Sequence, residues 1–214
     1  MYMKIWGLER IKEMGFPYPP YEVISINKDN PEDIEKYVLE KIRSLNVPNI
    51  ENDRIGVTIR VSLPGPLDKM GKHGGLHVVE EEEILKRVLQ KHEQYKPMEK
   101  IILQHTVDAK CSGVTMKDNG RIILETVPGD APPLLQGETS NFESWSYYLD
   151  ENKWLKSRSY MYNEREVQIL TDIERGSLLK SVIKFKKNVY LEWSISKVGQ
   201  IFYYEYLELP SINL

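Results

Sequence analysis

Cysteine occurs once in the 214 residues, at Cys111. An internal disulfide is therefore impossible, and nothing in the chain asks for an oxidising compartment. Long apolar runs are missing too: no stretch approaches the ~20 apolar residues that a membrane helix requires. Residues 1–15 carry Lys4, Glu9, Arg10, Lys12 and Glu13, which break up the apolar run of a secretory signal. A cytoplasmic protein with no membrane association is expected. Nor is there an excess of positive charge. The formal net charge is -3, which excludes a global field that gathers nucleic acid. The local run Lys180, Lys184, Lys186 and Lys187 reads as a solvated face. Internal repeats and low-complexity segments are absent.

What is present is enough apolar material, 41% of the residues, for one compact fold of two lobes. Leu8, Ile11 and Gly15 predict a short first helix ended by glycine, and Phe16 to Pro20 must be extended because proline forbids helix there. Glu22 to Ile26 reads as a strand. Asn30 followed by Pro31, Glu32 and Asp33 starts a helix continued by Ile34, Val38, Ile42 and Leu45. Arg54 to Ser62 reads as a strand, and Glu80 to Gln94 as a further helix with acids at its amino end. From Lys100 onward short β-like runs dominate, and only one helix, expected to start near Asn163 and to carry Val167, Leu170 and Ile173, interrupts them. Ser181 to Phe185, Tyr190 to Ile195 and Ile201 to Leu209 close the chain as strands. The change of texture predicts lobes at 1–98 and 99–214.

Two features carry chemistry. A hairpin centred on Val198 and Gly199, with two or four loop residues, sets Glu192 directly opposite Glu205 on one face of the sheet. Opposed carboxylates have β-carbons ~5 Å apart and repel unless a cation or a proton lies between them. Mg²⁺, commonly held by one or two carboxylates together with phosphate oxygens and waters, removes the repulsion. A slipped register, or both acids facing water, removes it equally well. The second feature is Lys69-Met70-Gly71-Lys72-His73-Gly74-Gly75, where glycine backbones can approach a polyphosphate while cations neutralise it. This segment does not match a Walker A sequence, and a surface loop that happens to be basic has the same composition.

The residues then fall into a recognisable order. Tyr190-Leu191-Glu192-Trp193-Ser194-Ile195 followed by Gly199-Gln200-Ile201-Phe202-Tyr203 resembles the D-I-E-W-A-I...G-x-L-Y-x-x-Q-x-R-P ending of the ATP-binding domain in phosphoenolpyruvate synthases and pyruvate phosphate dikinases. Leu103 to Val114 resembles that family's V-Q-x-M-V-x-A-D-x-S-G-V, and Ile123 to Gly129 its V-I-E-A-V-W-G. Lys4 with Leu8, then Gly15 to Ser25, resembles K-x-x-x-L...G-x-P-V-P-P-G-F-V-I-T, and Arg60-Val61-Ser62 stands in the place of R-S-S. Gly74-Gly75 before the acidic helix is similar to the A-G-Q-Q-E-T loop.

The resemblance implies an α+β fold of the ATP-grasp type, in which two α+β lobes hold ATP between them and the C-terminal lobe has a mainly antiparallel sheet. It implies that Lys4 and Arg60 contact phosphates with a catalytic role, that Gly74 and Gly75 belong to the loop over them, that Gln104 lies at the adenine hinge, and that Glu192 and Glu205 hold Mg²⁺. The departures are Glu205-Tyr206-Leu207 in place of Q-x-R, which removes an arginine expected to stabilise transferring phosphate, and Pro128 to Pro132 in place of W-G-L-G-E. No segment resembles the family's phosphohistidine domain or its phosphoenolpyruvate-binding barrel, so His73, His77, His92 and His105 are assigned no phosphoenzyme role. Three functions remain open. One is an ATP-dependent phosphotransferase or ligase acting on an unidentified acceptor, such as a histidine on a separate protein partner. Another is a degenerate nucleotide-binding module serving as a scaffold. The third is an interaction protein presenting Trp145, Tyr147, Tyr148, Trp154, Tyr160 and Tyr162.

Overall fold

The structure is a computed structural model describing residues 2–26, 30–46, 54–65, 77–78, 80–96, 99–130, 132–135 and 137–210. The chain divides into two compact units, Met1–Asp108 and Ala109–Leu214.

The first unit contains, in order, α1 (Met3–Glu13), β1 (Tyr21–Ile24), α2 (Pro31–Ser44), β2 (Arg54–Ser62), β3 (His77–Val78), α3 (Glu81–Tyr95) and β4 (Lys100–Val107). Its strands form an antiparallel sheet of order β1-β4-β2-β3. Helix α2 begins where expected: Asn30 accepts a hydrogen bond from the Glu32 amide at 3.2 Å, with Pro31 in the first turn. Val38 and Ile42 of α2 and Ile84 and Val88 of α3 pack into one core with Ile59, Ile101 and Leu103. Strand β4 is buried from Ile101 to Val107, so residues of both parities lie under cover. This explains the position of the boundary. The texture change at Lys100 marks the onset of strand-rich sequence, but β4 is hydrogen-bonded between β1 and β2 and belongs to the first sheet, which moves the division from 98/99 to 108/109.

The second unit runs β5 (Ala109–Asp118), β6 (Arg121–Pro128), α4 (Pro132–Leu135), β7 (Glu143–Tyr148), β8 (Lys153–Arg158), β9 (Tyr160–Tyr162), β10 (Arg165–Val167), α5 (Asp172–Ile183), β11 (Val189–Ser196) and β12 (Ile201–Glu208). Six strands form an antiparallel sheet of order β12-β11-β5-β6-β7-β8, and β9 pairs with β10 alone. Helix α5 covers one face. There Leu191, Trp193, Ile195, Leu124, Leu178 and Val182 are buried, and Ser181 of α5 hydrogen-bonds the Tyr203 hydroxyl at 2.5 Å.

The helix expected to start near Asn163 is corrected. Asn163 and Glu164 both take positive φ, 48° and 62°, and make the two-residue turn of the β9–β10 hairpin. The helix begins instead at Asp172, where Thr171 and Glu174 form a reciprocal capping box. The same Thr/Asn-x-x-Glu spacing occurs twice, and Asn tolerates the left-handed conformation that the turn needs. Ser181 to Ile183 form the end of this helix, with Lys184 as its cap, so the strand expected over Ser181 to Phe185 is not formed.

Candidate functional site

The β11–β12 hairpin places Glu192 opposite Glu205. The route differs from a simple two- or four-residue turn. The tip is a three-residue loop, Lys197 to Gly199, with Gly199 at φ 89° and the Ser196 amide donating to the Gln200 carbonyl at 2.9 Å. That loop pairs Ile195 with Ile201 and Trp193 with Tyr203, one residue out of the expected register. A β-bulge between Glu192 and Trp193 inserts Tyr204 on the β12 side and restores the pairing.

Both acids lie on the sheet face away from α5, since Glu192 alternates with Trp193, which faces the helix side. Across this face the row continues from Glu205 through Glu192 and Val114 to Glu125. Tyr190, two residues before Glu192, stands on the same face, and its hydroxyl donates to Glu192 Oε1 at 3.0 Å. Burial, followed by the charge of Glu192, the hydrogen bond to it, and the charges of Glu205 and Glu125, pushes the Tyr190 phenol well above its ordinary range. Tyr190 therefore remains a proton donor aimed at a carboxylate. Met116 and Ile123, half-buried, add apolar surface beside these acids. Tyr190 and Glu125 are not assigned from sequence; the parity that Tyr190 shares with Glu192, and the β-like run that forms β6, are the signals that could have pointed to them.

Among the described residues no group of three or more His, Cys, Asp or Glu is arranged to hold a metal ion. A pair nevertheless suffices for Mg²⁺, whose remaining sites are filled by phosphate oxygens and waters. Two facing carboxylates are hard oxygen donors of the kind that this ion prefers, so Glu192 and Glu205 fit it.

Three other predicted residues lie in the first unit. Lys4 Nζ donates to the Val61 carbonyl at 3.2 Å, at the strand that also carries Arg60. Arg60 Nη1 donates to Gln104 Oε1 at 3.4 Å. Gln104 is 1% exposed and sits within β4 between Tyr21 and Thr58, four residues before the unit boundary. Its Nε2 has no hydrogen-bond partner among the described residues. Gly74 and Gly75, with the rest of the basic glycine loop, lie outside the described residues. A groove of 530 Å³ beside β1, lined by Glu9, Lys12, Tyr18, Tyr21, Glu22 and Lys41 among others, contains none of the predicted site residues. Of the aromatic residues considered as an interaction surface, only Tyr162 is exposed; Trp145 and Trp154 pack edge to face and Tyr147 is buried. No helix among the described residues is long and apolar enough to cross a membrane.

No protein-family model and no curated protein sequence matches the chain. Solved structures do. D-alanyl-alanine synthetase A from Vibrio cholerae O1 biovar eltor superposes with a TM-score of 0.50 at 13% identity, over 99% of this chain and 56% of that one. N5-carboxyaminoimidazole synthase from Aspergillus clavatus, in complex with ADP and 5-aminoimidazole ribonucleotide, superposes with a TM-score of 0.50 at 11% identity, over 96% and 44%. Both are enzymes of the ATP-grasp class, and the chain has an α+β fold of that type. It spans about half the length of these neighbours.

Proposed function

We propose that this chain binds MgATP and is the nucleotide-handling part of an ATP-dependent enzyme that moves the γ-phosphoryl group onto an acceptor. The observation that carries this reading is the register of the second sheet, which pairs Glu192 with Glu205 on its half-exposed side. That arrangement is repulsive in isolation and becomes favourable around a divalent cation. The names of the superposed enzymes, a synthetase and a synthase, favour ligase-type use of ATP over a kinase. The narrower likeness to phosphoenolpyruvate synthases and pyruvate phosphate dikinases rests on the collinear motifs alone.

In this reading Glu192 and Glu205 hold Mg²⁺, and Tyr190 keeps Glu192 turned by donating to its Oε1. Lys4 and Arg60 neutralise phosphate oxygens, with Gly74 and Gly75 in the covering loop. Bound Mg²⁺ would supply charge neutralisation at the β- and γ-phosphoryl oxygens.

One feature favours a second reading, a nucleotide-binding module without turnover. Leu207, paired with Tyr190, occupies the position at which the resemblance expects a phosphate-stabilising arginine. The two separate experimentally. Calorimetric titration with a non-hydrolysable ATP analogue, with and without Mg²⁺, should give metal-dependent binding in the native chain and a loss of about tenfold or more in Glu192→Gln. Binding with no phosphate release from ATP across a panel of acceptors would leave the module. No binding at all would overturn both.

A further inference from the structure

Gln104 is one of the described residues that bury a side-chain polar atom without a hydrogen-bond partner, and it lies beside Arg60. Its Oε1 accepts from Arg60, while Nε2, buried with the rest of the side chain, has no partner among the described residues. Turning the amide over does not help. A guanidinium offers only donors, so the oxygen must face Arg60 and the NH₂ group is fixed on the far side of the amide as a donor. A buried amide donor with no acceptor destabilises the fold. None of the neighbouring hydroxyls accepts from it: Thr58 Oγ1 and Thr106 Oγ1 pair with each other at 2.7 Å, and the Tyr21 hydroxyl engages Glu9. What the position lacks is an acceptor, and Arg60 beside it makes an anionic one the best fit.

We infer that Gln104 is a phosphate-binding residue, its Nε2 donating to an oxygen of the phosphate that Arg60 neutralises. It thereby joins Arg60 in an anion-receiving donor pair, a role distinct from that of an adenine-hinge residue. This rests on the nucleotide-binding reading above. Arg60 supplies the charge, and the fixed amide supplies a directional donor that a lone guanidinium lacks.

Calorimetry on the chain tests the inference with three probes: inorganic triphosphate, ADP and adenosine. Native protein should bind triphosphate and ADP. Gln104→Leu should weaken both by a similar factor, about tenfold or more, with adenosine unaffected. Gln104→Glu, which keeps an acceptor for Arg60 but replaces the donor by a negative oxygen, should weaken triphosphate further. Thermal unfolding of each variant shows whether it remains folded. If adenosine affinity falls while triphosphate affinity holds, Gln104 belongs to the base site and the inference fails. If melting temperature falls with every affinity unchanged, its role is structural and the inference again fails. If the native chain binds neither ADP nor triphosphate, the nucleotide reading falls and takes the inference with it.

Discussion

A β-carbon added at Gly113 would stand 2.1 Å from the Glu125 carbonyl oxygen and 2.9 Å from Cζ2 of Trp193. Gly113 pairs directly with Trp193, whose indole crosses it and donates to Thr115 Oγ1 at 2.9 Å. A central strand accepts glycine where a large neighbour must approach its backbone. Gly113→Ala should lower stability by about 1–3 kcal/mol, read as a shift in urea midpoint with unchanged m-value. The facing acids make a different prediction. In metal-free buffer Glu192→Gln or Glu205→Gln should change stability by less than about 1 kcal/mol. With Mg²⁺ and an ATP analogue, the same variants should lose the ligand-induced rise in melting temperature that the native chain shows. A variant destabilised in both conditions would assign these acids to ordinary packing.

At the level of elements, α5 is held at its start by the Thr171–Glu174 box and tied to β5 through Lys110, which donates to Glu174 at 2.7 Å. Burial raises the Glu174 carboxyl, but the bond from Lys110 and those from Thr171 lower it by more, and it lies below the usual carboxylate range. With its folded value below the unfolded ~4.3, its contribution is present above about pH 4.3 and is lost as pH falls through the depressed value. Urea unfolding from about pH 6 down to pH 3 should show a shallower acid limb in Glu174→Gln than in the native chain. Thr171→Ala should cost about 1 kcal/mol at neutral pH. The same helix shows what was legible. Strongly periodic or well-capped segments such as α2, α3, β2 and β11 follow from local sequence. The start of α5 did not, because Asn163-x-x-Glu166 and Thr171-x-x-Glu174 offer equal capping chemistry, and only the pairing of β9 with β10 decides between them. At the site, the pairing of Glu192 with Glu205 was legible from parity; parity also puts Tyr190 on that face, but its bond to Glu192 is visible only in the side-chain geometry. The role of Gln104 lay beyond sequence because a strand position does not reveal which amide atom is left without a partner.

Over the whole molecule, each unit carries its own sheet and buried core. Cys111, fully buried in β5, is a built-in reporter for the second one. Burial, with the nearby charge of Glu174, pushes its thiol up to about 12. Iodoacetamide at about pH 8 should leave native protein unlabelled, as the thiolate is both scarce and shielded. Labelling followed by mass spectrometry across a urea series should rise only as the second unit unfolds. Rapid native labelling would mean that β5 opens locally. The 1–98 division expected from composition failed here for a related reason: β-rich sequence announces a strand but not the sheet that will accept it.

The hairpin between Glu192 and Glu205 contains two departures from ideal pairing that cancel, a three-residue tip and the extra residue at Tyr204. An inserted residue at the tip could be offset by deletion at the bulge, and the carboxylates would still meet. Either change alone would swing the residues beyond it to the opposite face, taking Glu205 away from its partner. Natural variation in this hairpin should therefore come as paired indels, so that chain length between the two glutamates, more than the identity of the residues there, is what selection can see.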